Sequence, residues 1–457
     1  MKYGKLFGIF EGGKPTLFVA EPELVKRVLV KDFAALPNRR RFVFNDPLLD
    51  NLMSAAPVEQ WRKIRPAASP AFSTGKLRKM NGLIEDTARL VANHLQTAAG
   101  NEEDMDVKQF FSDFALDTIA RCAFGTTLDS HNDQSNEFVT KARKTFATDM
   151  TPKLILFFLF PGLFKLLRIK PFDSDIFQYF KSLSLNIIKQ RKEKNTRNED
   201  FLQLMVDAQE GNLSETGENS TSAETKLFEL VDESRPEQFL ANRGLTEDEA
   251  MSQCILFFIA GQDTTSSVLA FTTYLLALHP EIQDRLREEV DECFQKHGQH
   301  PSLDVVSKLQ YLHGVVSESM RMYPPGVRIE RSTVGTYTLG DTGITVPNGC
   351  VVAIPVYAMH HDPEYFPNPE KFDPERFSEE NVSSIRPYTY LPFGAGPRNC
   401  IGMRFALHAV KLCIMHAVHN VQFVRTSKTK VPLSFFTGLG ALNARDMTLG
   451  IRALPVR

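Results

Sequence analysis

Residues 246–278 hold the feature that most limits what this chain can fold into. Thr246, with Glu249 three residues on, makes a capping box, and apolar residues then recur at helical spacing as far as Leu278, where His279-Pro280 stops the run. A helix of about 32 residues is roughly 48 Å long, enough to cross a whole domain. Its first half contains Cys254-Ile-Leu-Phe-Phe-Ile, which leaves no polar face, so the helix is buried and the chain is wrapped around it. Length alone would allow about three domains. No shift of composition divides the 457 residues, however, and residues 1–457 read as one domain, whose 42% hydrophobic content is ample for a large core.

The remaining elements are shorter. A strand at Thr16–Ala20 leads into a helical stretch from Pro22 to Leu29, and Gln60–Phe124 is helical with a break at Asn101–Asp104. Phe172–Gln209 is helical, and a second long helix spans Leu303–Met322. Thr336–Leu339, Gly343–Val346 and Cys350–Pro355 read as strands, another helix runs from just after Cys400 to His419, and Leu433–Thr437 with Met447–Ile451 suggests a final hairpin. Residues 211–243 mix Ser, Thr, Asn, Glu and Gly without periodicity and read as a mobile surface insertion. The fold class is mostly α with small β-sheets, an α+β chain. The greasiest segment, Leu154–Ile169, is interrupted by Pro161, Gly162 and Lys165, so it cannot span a bilayer as one regular helix. It either roofs an apolar pocket or dips into a membrane surface.

Composition narrows the function. With 53 Lys+Arg against 55 Asp+Glu and no basic tail, nothing suggests nucleic acid. Thirty-five Phe against one Trp fits a large apolar pocket, and equally fits Phe used as core filler. Six cysteines lie scattered with no CxxC, which argues against a disulfide framework or zinc ribbon. One of them, Cys400, ends the Gly-rich loop Phe393-Gly-Ala-Gly396-Pro-Arg398-Asn-Cys400-Ile-Gly402, just before a helix. Helix dipole and free backbone N–H groups there favour a thiolate, the glycines permit a tight turn and a close approach to a flat ligand, and Arg398 can pair with an anion. The plainer reading is a structural cysteine beside a turn. A nucleophile is disfavoured because no His lies nearby.

The ten-residue pattern F-x-x-G-x-R-x-C-x-G resembles the haem-binding signature of the cytochrome P-450 family, with every specified position matched. A Cys thiolate on haem iron, promoting O–O cleavage, is that family's known ligation. Four further stretches match the family in order. Ala260-Gly261-Gln262-Asp263-Thr264-Thr265 resembles its oxygen-activation motif, which implies that Thr264 hydrogen-bonds the activated oxygen and Asp263 relays protons, while Gly261 leaves room beside the ligand plane. Glu318 and Arg321, one face of a helix, with Arg376 of Asp373-Pro-Glu-Arg376-Phe377 resemble a buried structural charge triad. Trp61-Arg-Lys-Ile-Arg65 resembles the pair that contacts a haem propionate, and Arg331, Arg398 and Arg39 match further propionate positions. Singly, each motif is as well explained by surface charge.

The resemblance implies the cytochrome P-450 fold, with haem b held between the long helix and the Cys400 loop. Leu256, Ile259, Ala260, Thr264 and Gly326 would face the distal pocket, with Phe157, Phe158 and Phe160 as its roof. It also implies a monooxygenase of the animal microsomal drug- and steroid-oxidising type, acting on small apolar xenobiotic, steroid or lipid-like substrates. The nearest dinucleotide-binding pattern, Gly438-Leu-Gly440-Ala-Leu-Asn443, lacks its third Gly, so NADPH would act through a separate NADPH-cytochrome reductase, with cytochrome b5 as an optional second donor. Arg62, Lys63, Lys76, Arg78 and Lys79 are candidate docking charges. The expected location is the cytosolic face of the endoplasmic reticulum membrane. Members of that type begin with an anchor and Pro-rich hinge that the first residues here do not resemble; either the chain is truncated or the 154–169 surface makes the membrane contact. Two rivals remain at this point: a reductase-independent haem-thiolate isomerase or dehydratase acting on lipid peroxides, and a haem-binding sensor without turnover.

Overall fold

A computed structural model describes residues 3–454 apart from 12–13, 146–150, 199, 212–243 and 437–440. The insertion expected at 211–243 therefore lies, but for its first residue, outside the described residues, as do Gly438–Gly440.

The central helix is Glu247–Leu278, capped as expected: the Glu249 N–H donates to Thr246 Oγ1 at 3.2 Å and the Thr246 N–H to the Glu249 carboxylate at 2.9 Å. It is long and apolar enough to cross a membrane, but 61% of its most apolar window is buried in the protein, so it serves as the core. Its buried hydroxyls are satisfied locally; Thr272 and Thr273 donate to the carbonyls of Val268 and Leu269 one turn back. Helices Val107–Phe124, Met403–Asn420 and Gln310–Met322 pack around it. Thr74–Gly100 packs on the outer side of Val107–Phe124 and Met403–Asn420.

Three expected helical stretches are divided. Phe172–Gln209 forms Ser174–Glu193 and Phe201–Glu210. In the stretch expected to run from Gln60, Val58–Ala68 and Thr74–Gly100 are separated by a 3-10 turn at Ser69–Phe72, with the Ser73 hydroxyl capping the second helix. The stretch 303–322 breaks into Leu303–Val306 and Gln310–Met322, because Glu289 accepts from the N–H groups of Tyr311 and Leu312 and caps a new start. Glu289 sits on Pro280–His297, a helix the sequence reading did not foresee; Pro280 both ends the central helix and opens this one.

The sheets lie to the sides. A four-stranded sheet has the order Leu6–Glu11, Lys14–Val19, Val351–Ile354, Ile329–Ser332; the middle pair is parallel and the outer pairs antiparallel. The expected final hairpin is not formed between its two halves. Ser434–Phe435 pairs with Ala444–Arg445, whereas Thr448–Ala453 joins Val421–Val424 and Asp104–Asp106. The left-handed Asp446 (φ 52°) turns the chain from one sheet to the other.

Leu154–Ile169 folds as two short helices, Pro152–Leu159 and Pro161–Leu166, broken at Pro161. Asn45 Nδ2 holds the second in place by donating to the carbonyls of Phe164 and Ile169, both at 3.0 Å.

Candidate active site

The Cys400 loop is held in place from three sides. The Cys400 N–H donates to the Phe393 carbonyl at 2.9 Å, closing the loop on itself. Arg65 grips Asn399 through its carbonyl at 3.0 Å and its side-chain oxygen at 2.8 Å. Gly396 has φ +72°, and a Cβ there would lie 2.1 Å from the Leu29 carbonyl oxygen, so only glycine fits. The loop forms one side of a cavity of about 360 Å³ that runs to the central helix, lined there by Leu256, Ala260, Gly261, Thr264 and Thr265. The expected sandwich of long helix and cysteine loop is thus formed.

Arg39, Trp61, Arg65, Arg331 and Arg398 meet along the same cavity, from four separate stretches of chain, Trp61 and Arg65 sharing one helix. Asn38 explains part of this: it bridges to Ser332 beside Arg331, and its side chain accepts from the Val58 N–H at the start of the Trp61–Arg65 helix. Arg398 stacks 4.8 Å over the Trp61 ring. Arg331 is 1% and Arg398 3% exposed, and among the described residues neither they nor Arg39 forms an ion pair. Nε of Arg331 and both Nε and Nη1 of Arg398 are buried without a hydrogen-bond acceptor. Burial, reinforced by Arg39 and Arg65, pushes Arg398 down to about 9, and burial with the neighbouring guanidiniums pushes Arg331 well below the usual arginine range. Such a cluster is costly unless an anion enters. A ligand bearing carboxylates, lying between Cys400 and the central helix, fits these residues, and haem b with its two propionates is such a ligand.

Cys400 differs from expectation in one respect. Enclosure by protein pushes its thiol up, with only partial opposition from the Gly402 N–H and the charges of Arg65 and Arg39.

Other assigned residues are placed differently from the sequence reading. Gly261 lines the cavity, and a Cβ on it would lie 2.7 Å from Ile119 Cδ1, so a side chain there would have to displace the end of Ile119 on helix Val107–Phe124. Asp263 does not face the cavity. Its carboxylate lies 2.9 Å from Lys108 Nζ, which also donates to the Asp263 carbonyl, Ser266 and Ser267. Thr264 does face the cavity, its hydroxyl donating to the Ala260 carbonyl at 2.7 Å.

Ile259 packs into the core beside the cavity instead of lining it, because the helix turns that position away. Phe157 and Phe158 do not line it either: they join Phe42 in an aromatic cluster, with Phe157 also against Phe44 and Phe164, at 5.2–5.8 Å between ring centres. Phe160 is 55% exposed. The aromatic wall is built by Phe72, Phe201 and Phe257, with the Phe257 ring 3.8 Å from Phe201 and 4.5 Å from Phe72. Nothing local in the sequence distinguishes these three from other phenylalanines; the turn at Ser69–Phe72 is what aims Phe72 inward. Gly326 does line the cavity, and a Cβ there would meet nothing within 4 Å.

The triad residues come together away from the cavity. Arg321 donates to the Glu318 carboxylate at 2.7 and 2.9 Å, and Arg376 Nε donates to it at 3.2 Å. Glu318 and Arg321 have no exposed side-chain surface.

Fold and site define a haem-thiolate oxidoreductase. The family model for Cytochrome P450 matches residues 1–448. Among curated relatives, Cytochrome P450 3A27 of Oncorhynchus mykiss is 35% identical over 94% of this chain and 80% of its own length. Cytochrome P450 3A2 of Rattus norvegicus is 37% identical over 94% and 81%, and Cytochrome P450 3A56 of Fundulus heteroclitus 37% over 99% and 86%. The chain belongs to the cytochrome P450 family, and its activity is that of a monooxygenase.

Proposed function

We propose that this monooxygenase oxidises small apolar xenobiotic, steroid or lipid-like molecules, using NADPH electrons delivered by a separate flavoprotein reductase. One observation carries the reading: the cavity between Cys400 and Thr264 is lined mainly by apolar side chains, with Arg39, Arg65, Arg331 and Arg398 grouped along one side. Haem b, once bound, supplies the iron chemistry that activates dioxygen. The chain's residues do the rest. Cys400 ligates the metal, and Arg39, Arg65, Arg331 and Arg398 with Trp61 receive the propionates. Phe72, Phe201, Phe257 and Leu256 exclude water and hold the substrate by apolar contact. Thr264 presents a hydroxyl to the reacting face, and Asp263, positioned by Lys108, holds the proton supply on the other side of the helix.

The test is reconstitution. The dithionite-reduced protein with carbon monoxide is expected to give a strongly red-shifted Soret band, and added reductase to drive NADPH- and oxygen-dependent product formation. Haem binding without NADPH use would favour the sensor reading; conversion of lipid peroxides without reductase would favour the isomerase. Replacing Thr264 with Ala is expected to raise peroxide release relative to product by at least about tenfold, a conservative bound beside the roughly 10²–10⁴-fold worth of positioned proton transfer; tight coupling in that variant would refute the role. Gly326→Phe fills space beside the substrate and is expected to narrow the product range, and an unchanged product profile would sink that assignment.

For reductase docking, Lys63 is the weakest candidate, since its ammonium lies 2.6 Å from Glu249; Arg62, Arg78 and Lys79 are exposed. Membrane contact is supported by the 154–169 hairpin. There Ile155, Leu156, Leu159, Phe160, Leu163 and Leu166 are 44–79% exposed, and exposed Lys153, Lys165 and Arg168 flank them. This surface suits the cytosolic face of the endoplasmic reticulum membrane, where the reductase and cytochrome b5 would be met.

A further inference from the structure

Outside the haem cavity, two histidines and an aspartate converge where the turn after helix Val107–Phe124 meets helix Thr74–Gly100. His94 comes from the long helix, and Asp129 and His131 from the turn. Their ligand atoms all lie within 4.8 Å of one another, with His94 Nε2 4.0 Å from Asp129 Oδ1. The two imidazoles lie nearly parallel, 17° apart with ring centres at 4.8 Å, and Phe110 closes the far side of His131 edge-on at 4.6 Å.

The site carries an unmet demand. His94 Nε2 and both ring nitrogens of His131 are buried without a hydrogen-bond partner among the described residues. A buried polar atom left so costs on the order of 1–3 kcal/mol, and three in one place point to something that binds them.

The turn is also held in advance. Ser130, between the two ligands, donates from both its N–H and its hydroxyl to the buried carboxylate of Asp117. Asp129 is oriented by the Asn132 side-chain amide at 2.8 Å. Fixed neighbours of this kind are what metal ligands require.

We infer that His94, Asp129 and His131 form a divalent-metal site of the zinc class, which staples the 125–136 turn to helix Thr74–Gly100. Two imidazoles and a carboxylate suit Zn²⁺, with water as the fourth ligand. Zn–N bonds of about 2.0–2.1 Å in tetrahedral geometry set ligand atoms roughly 3.3 Å apart. Side-chain rotations would have to close the group by up to about 1.5 Å to reach that spacing. None of the three residues lines the haem cavity, so the site is structural and independent of the chemistry there.

The test uses the haem-loaded protein, stripped of adventitious metal by a chelator that leaves haem in place and titrated with Zn²⁺ by calorimetry. The chain has 11 histidines, so the comparison is with variants: His131→Phe, which keeps an aromatic ring against Phe110, and Asp129→Asn. One equivalent is expected to bind the parent protein and raise its thermal midpoint. That equivalent should weaken at least ~100-fold in His131→Phe, since even loss of a supporting residue costs roughly 10–100-fold. Both variants should keep full haem content and the carbonyl band, which shows that they fold. A Zn²⁺ isotherm identical in parent and variants, or no binding to the parent, overturns the assignment. Substitution by Co²⁺ gives a second reading: visible bands of tetrahedral nitrogen and oxygen ligation are expected, and bands of thiolate ligation would place the metal on a cysteine instead.

Discussion

Cys400→His is expected to abolish the red-shifted carbonyl band and to reduce NADPH-supported turnover more than ~100-fold while haem still binds. The bound follows from scale: removing a mere supporting partner of a metal ligand costs roughly 10–100-fold, and here the ligand itself changes. Haem retention is expected because most of the cradle lies elsewhere. Trp61 and the buried arginines stay in place, and their cost without an anion still favours a carboxylate-bearing ligand. An imidazole donor is neutral, so it lacks the electron donation by which a thiolate promotes O–O cleavage. Reduced-carbonyl spectra, haem content and product formation should be read on the same sample. A variant that keeps both band and turnover would mean that another residue ligates the metal. The six cysteines narrow that search: Cys122 also touches the cavity, but it is buried in a helix and its thiol is pushed up to about 12, whereas Cys400 is the cysteine whose side chain opens onto it.

The second large effect concerns stability. Glu318→Gln keeps the shape of the side chain but leaves Arg321, which has no exposed surface, without its counter-charge. Breaking one partner from a buried pair costs about 3–5 kcal/mol, because the remaining charge stays desolvated. The loss is concentrated at one place: Glu318 receives Arg321, Arg376 and the Asp373 N–H, while Arg321 also donates to the carbonyls of His360 and Pro369. The triad thus ties helix Gln310–Met322 to the segment leading into the Cys400 loop. Glu318→Gln is expected to lower the thermal midpoint by several degrees and the yield of haem-loaded protein. Activity per bound haem should be preserved, since the triad does not line the cavity. The double variant Glu318→Gln/Arg321→Met should lose less than the sum of the two single changes, the sign of a shared electrostatic contact. Equal midpoints for parent and Glu318→Gln would remove the structural role.

Much of this was readable along the chain because it depends on near neighbours. A capping box, helical apolar spacing and a Pro stop are relations within four residues, so the central helix appeared with its ends correct. The Cys400 loop is also local: its glycines, its closure on Phe393 and its position before a helix are set by backbone geometry. The charge triad was recognisable as a pattern, its burial only through the family resemblance.

What the tertiary structure decided is which way each side chain faces. Rotation of the central helix about its axis is set by helices from distant parts of the chain. That rotation puts Thr264 in the cavity, turns Asp263 onto Lys108 and directs the missing side chain of Gly261 at Ile119. Phe72, Phe201 and Phe257 form the aromatic wall because three separate segments meet, and no spacing along the chain encodes that meeting. Phe157 and Phe158 have the same chemistry and a more conspicuous sequence, yet they pack on Phe42. Hydrophobic burial rewards any apolar contact and specifies no partner. The sequence therefore determines that these side chains are buried and where the local turns and helix ends fall, while close packing among distant segments alone selects the residues that surround the haem.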